Sequence, residues 1–92
     1  MPTDRQRLSA LLLKGPFTLQ EISQEMGLST KDVLLHMGHV RKSVRPPRQF
    51  VLEPAKCLRC GYVFRDRSRL NPPGRCPKCK STHIRDPRYG IR

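Results

Sequence analysis

Apolar positions in the first half of the chain recur at helical spacing. Leu8, Leu11 and Leu12 fall at i, i+3 and i+4 and make one stripe, with Thr3 or Asp4 as the candidate N-cap and Gly15-Pro16 as the stop. A second helix is predicted from Thr18, which caps it with Glu21 three residues on as capping-box partner, and Ile22 and Met26 face inward. Gly27 then permits a sharp turn because it tolerates positive φ, and Leu28 anchors that turn. Ser29 caps a third helix, with Asp32 near the positive end of its dipole. Its buried stripe is Val33, Met37 and Val40, and Pro46-Pro47 prevents continuation.

The second half changes period. Gln49-Phe50-Val51-Leu52 reads as a short strand, and Tyr89-Gly90-Ile91 alternates again near the end of the chain. Between them Tyr62 and Phe64 share one strand face, with Val63, Arg65, Arg67 and Arg69 on the other. Asn71-Pro72-Pro73-Gly74 is a loop of turn residues, and residues 82–85 form a candidate returning strand.

With 92 residues, no Trp and 36% hydrophobic positions, the chain has little apolar material for a core. A domain of this size gains much from a metal or disulfides. Four cysteines answer that need. Cys57-Leu58-Arg59-Cys60 and Cys76-Pro77-Lys78-Cys79 are two C-x-x-C pairs separated by residues 61–75, the spacing of a four-thiolate zinc site. Each pair forms a tight loop offering two sulfurs, and two loops complete a tetrahedron with no position open for water, so the expected ion is structural. Zinc is the first choice and iron the second, since tetrahedral S₄ suits either. Gly61 after the first pair suits a positive-φ turn, whereas Lys80 occupies the matching place after the second. His83 is a spare ligand read as a solvated strand residue, and His36 and His39 are read as structural. The chain has no apolar run long enough to span a membrane and no signal-peptide pattern, so metal ligation is preferred over disulfides and a cytoplasmic site is expected.

Charge divides the chain. Residues 1–43 carry six basic and four acidic side chains; residues 44–92 carry thirteen basic and three acidic, a net of +10 out of the total +12. Such a field favours a polyanion. No triad order, paired acids or phosphate-cradling glycine loop is evident, so an enzyme is not expected.

Two helices joined by a tight glycine turn are helix-turn-helix geometry, although the spacing alone also fits other three-helix bundles. Gly27-Leu28-Ser29 followed by Val33, His36, Met37 and Val40 resembles the G-L-S-x-x-x-V-x-x-H-L-x-x-L pattern of prokaryotic winged-helix regulators. Residues 54–86 resemble a rubredoxin-like zinc ribbon. Together they resemble a small archaeal and bacterial family of predicted transcriptional regulators in which the two are fused. The expected fold is α+β: a small winged helix-turn-helix (residues 1–53 and 87–92, three helices plus a β-hairpin wing) with a zinc ribbon (residues 54–86) inserted in the wing. The resemblance implies a DNA-binding transcriptional regulator of the prokaryotic cytoplasm with double-stranded DNA as partner. Thr30, Lys31, His39 and Lys42 on the third helix, Arg45 and Arg48 beside the wing, and Arg65, Arg67 and Arg69 on the ribbon are the candidate nucleic-acid contacts. A protein-interaction module of a transcription complex, binding RNA polymerase or another transcription protein, and RNA binding through the basic ribbon are the alternatives.

Overall fold

A computed structural model describes residues 2–65 and 69–92. Helix α1 spans Asp4–Leu12, strand β1 Phe17–Thr18, helix α2 Leu19–Met26 and helix α3 Thr30–Ser43. Strands β2 (Phe50–Glu53), β3 (Lys56–Cys57), β4 (Ile84–Arg85) and β5 (Arg88–Ile91) follow.

Each helix starts where its cap chemistry directs. At Thr3 and at Thr18 the hydroxyl accepts from the N3 amide while the N3 side chain, Gln6 or Glu21, accepts from the cap's own N–H. The Gln6 half of the first box is additional to the expected Thr3 cap. Ser29 accepts from the Asp32 amide at 3.1 Å and opens α3. Gly27 ends α2 at φ 66°, in the left-handed region open to glycine, and the Leu28 amide reaches back to the Ser23 carbonyl at 3.2 Å. Arg41 and Lys42 occupy the last turn of α3, where cations favour the negative end of the dipole.

The expected stripes are the core. Leu8, Leu12, Ile22, Met26, Val33, Met37 and Val40 are buried together with Leu19, Tyr89 and Ile91, while Leu11, Leu28 and Leu34 pack against them. Strand β5 supplies the last two of those buried residues and is the central strand of a three-stranded sheet ordered β1-β5-β2, both pairings antiparallel. Phe50 lies opposite Ile91 and Leu52 opposite Tyr89, and Gln49 and Arg92 exchange two further backbone bonds. The two strands expected around Gln49–Leu52 and Tyr89–Ile91 are therefore paired with each other. Strand β1 was not anticipated: two residues carry no periodicity to read.

The ribbon is less strand-like than its alternation suggests. Strand β3 pairs with β4, Lys56 opposite Arg85 and Cys57 opposite Ile84, so the returning strand is confined to Ile84–Arg85. Residues 62–64 form no strand; Val63 makes one isolated bridge to Lys56. Tyr62 and Phe64 do meet, ring edge to ring face at 5.0 Å. The tight turns around the cysteines use the backbone groups that a longer ladder would need. The ribbon buries Ala55, Cys57, Phe64 and Cys76, a set separate from the main core. Leu70 packs against the main core, and its carbonyl accepts from the hydroxyl of fully buried Tyr89. This bond ties the proline loop of the ribbon to the central strand.

Candidate metal centre and nucleic-acid face

The two C-x-x-C segments fold into near-identical knuckles. In the first, the Arg59 and Cys60 amides donate to the Cys57 sulfur, the Gly61 amide donates to the Cys57 carbonyl at 3.0 Å, and the Cys57 amide donates to the Tyr62 carbonyl at 2.8 Å. In the second, Lys78 and Cys79 donate to the Cys76 sulfur, Lys80 to the Cys76 carbonyl at 3.0 Å, and Cys76 to the Ser81 carbonyl at 2.9 Å. The residue after each pair takes positive φ: 82° at Gly61 and 65° at Lys80. Lys80 is the one described non-glycine residue in that region, as the mismatch between the two knuckles foreshadows.

The four sulfurs lie within 4.8 Å of one another, with Cys57 to Cys79 at 3.5 Å and Cys60 to Cys76 at 3.6 Å. Four thiolates at ~2.3 Å from a central zinc are ~3.8 Å apart along the tetrahedron's edges, so the donor set fits the ion. Disulfides, at ~2.05 Å, are excluded by the same distances. The electrostatics agree. The Cys60 amide, outweighing burial, leads the interactions that lower the Cys57 thiol to about 6. Burial opposes ionisation of Cys76, but the Cys79 and Lys78 amides lower it on balance. Cys60 receives the Tyr62 amide, yet burial and the neighbouring sulfurs push it up to about 12. Four thiols this close cannot all ionise without a cation among them. Cys57, Cys60, Cys76 and Cys79 therefore form a site for one structural zinc ion, with every coordination position filled by protein.

His83 is exposed, and its amide donates to the Ser81 hydroxyl at 3.0 Å; it lies outside the sulfur cluster. His36 is partly buried with Nε2 3.7 Å from an Asp4 carboxylate oxygen on α1, and His39 is exposed.

The candidate nucleic-acid residues fall in three places. Thr30, Lys31, His39 and Lys42 are all exposed on α3. At ~100° per residue, Lys31, Leu35, Gly38 and Lys42 lie within ~60° of one another around the axis, roughly opposite the buried Val33, Met37 and Val40. Leu35 is 62% exposed. Arg45 is exposed, but its Nη1 donates to the Lys42 and Val44 carbonyls at 2.7 and 3.4 Å, closing the end of α3. Arg48 is exposed beside the start of β2, and Arg65 and Arg69 are exposed on the ribbon. Arg67 lies outside the described residues. Sequence reasoning did not single out Lys78, whose ammonium sits 5.7 Å above the Tyr62 ring, a cation–π distance. No helix among the described residues is long and apolar enough to cross a membrane.

Three helices, a small antiparallel sheet and a four-thiolate ribbon define a small α+β zinc-ribbon protein. Family models agree: one described as PF0610-like, N-terminal, matches residues 3–51, and one described as PF0610 rubredoxin-like zinc beta-ribbon domain matches residues 54–92. The chain belongs to the PF0610-like family. It is similar to the solution NMR structure of protein PF0610 from Pyrococcus furiosus, with 32% identity and a TM-score of 0.75 over 96% of this chain and 87% of that one. No curated protein matches it.

Proposed function

We propose that the protein is a DNA-binding transcriptional regulator in which residues 1–53 and 87–92 act as a winged helix-turn-helix and residues 54–86 as a ribbon inserted in the wing. The observation that carries this reading is the outward stripe of α3. It begins with a lysine and ends with a lysine, lies opposite the buried stripe, and follows the left-handed turn at Gly27. A helix presented in this way enters a major groove with its N-terminal residues leading. Thr30 and Lys31 then approach bases or phosphate first, with His39 and Lys42 further along. The paired β2 and β5 strands serve as the wing. Arg48, Arg65, Arg67 and Arg69 contact phosphate, and Arg45 supports the end of the reading helix.

Grip and specificity come from different parts. Phosphate contacts position a protein without reading sequence, so the strongly basic second half supplies affinity. If six of its charges meet phosphates, log K falls with log salt at a slope of about −5. A salt titration on duplex DNA by fluorescence anisotropy tests this. A slope of about that size supports the reading, and no binding to any duplex at ~50 mM salt refutes it. A second reading rests on exposed Leu35 and Leu58, 62% and 64% accessible: docking on a transcription protein such as RNA polymerase. Co-purification with polymerase without binding to free DNA favours it, and preference for single-stranded RNA in competition favours RNA binding.

A further inference from the structure

We infer that Leu35 reads the C5-methyl group of thymine, making the DNA target one with a thymine beneath the middle of α3. This rests on the DNA-binding reading above and specifies how that helix discriminates.

The outward stripe of α3 contains little that can form hydrogen bonds with base edges. Lys31 and Lys42 stand at its two ends, Leu35 and Gly38 between them, with His39 and Asp32 on one flank. Lys31 and Lys42 are eleven positions apart, ~16 Å along the axis, so they stand at the two ends of the stretch of groove that the helix occupies. From there their long side chains reach the phosphate walls, while the residues between them face the floor. Of those, Leu35 has a large apolar side chain and is 62% exposed. In the major groove the one apolar feature of the four bases is the thymine methyl, and apolar side chains are its recognition chemistry.

Gly38 lies almost one turn beyond Leu35. A Cβ built there meets no atom within 4 Å, so nothing inside this chain requires a glycine. An interior helical glycine costs about 1 kcal/mol relative to alanine. A close approach from outside supplies the missing reason: without a Cβ at residue 38 the helix sits deeper, and Leu35 reaches the groove floor. The lysines at both ends specify a polyanionic partner over an apolar one.

Deoxyuridine lacks the thymine methyl and keeps the same hydrogen-bonding edge, so it isolates the contact. The probe is a short alternating A·T duplex compared with its deoxyuridine counterpart at ~50 mM salt, where phosphate contacts alone sustain binding. One buried methyl corresponds to about a fourfold difference, so the wild-type chain should bind the thymine duplex about fourfold or more tightly. Leu35→Ala should bind both duplexes equally with an unchanged salt slope, and Leu35→Met should keep the preference. Residue 35 is exposed, so both variants should retain zinc and fold. Equal binding of the two duplexes by the wild-type chain, or a preference that survives in Leu35→Ala, overturns the thymine contact while leaving DNA binding standing. No binding to either duplex overturns both.

Discussion

Gly38→Ala should strengthen the fold and weaken its interaction with DNA. Residue 38 is in the interior of α3, which runs from Thr30 to Ser43 with hydrogen-bonded turns on either side. The added Cβ meets nothing within 4 Å, so there is no steric cost to subtract. The gain is the difference in helix propensity, about 0.8–1.0 kcal/mol. At ~2.1 cal/mol/K per residue, a chain of 92 residues has an unfolding entropy of ~0.19 kcal/mol/K, so Tm should rise by about 4–5 °C. Differential scanning calorimetry of the zinc-loaded protein measures that rise, and anisotropy on duplex DNA measures the loss of affinity. An unchanged or lower Tm would mean that the backbone at 38 is constrained by something other than propensity. Raised stability with undiminished DNA binding would refute the close approach.

Lys80→Gly should stabilise the protein by about 0.5–1 kcal/mol, because a side chain at φ 65° costs more than glycine's extra backbone entropy, and Gly61→Ala should destabilise it for the converse reason; thermal denaturation of the zinc-loaded proteins checks both signs. Chelation should collapse the amide dispersion of residues 56–64 and 76–85 in NMR spectra while α1–α3 keep theirs, since the ribbon's buried set depends on Cys57 and Cys76; an unchanged spectrum with zinc demonstrably gone would contradict this. Tyr89→Phe removes the hydroxyl that donates to the Leu70 carbonyl and should cost about 1 kcal/mol in denaturant unfolding. The Thr18 amide, then the Thr18 hydroxyl, hold the Glu21 carboxyl below its ordinary value. Its contribution to stability is therefore present above the ordinary glutamate pKa and is lost as pH falls through the lowered one; Glu21 titrated by NMR should show the low midpoint, and Thr18→Ala should raise it.

The legibility of each feature in the sequence depends on the range of the interactions that make it. Thr18 with Glu21, Gly27, and the Val33-Met37-Val40 stripe are local features, set by caps, glycine tolerance and a period of 3.6, so α2 and α3 were legible. The four cysteines were legible for a different reason: thiolate chemistry at that spacing admits few uses. The two-residue β1 was not, because its partner among the described residues is β5, some seventy positions away. Tyr62 and Phe64 alternate as a strand would, yet knuckle geometry diverts the backbone there.

Residue type and near-neighbour spacing are enough to specify the helices, the metal ligands and the segregation of positive charge into residues 44–92. The assembled fold alone makes β5 the central strand, with Tyr89 buried in the core and bonded to Leu70. The fold alone likewise shows that Arg45 folds back on the end of α3 and that Gly38 faces open space. The pairing of β5 and the surroundings of Tyr89 and Gly38 depend on which distant segment comes near them, whereas Arg45 closes on carbonyls one and three residues away through the path its own backbone takes after α3; periodicity along the chain records neither.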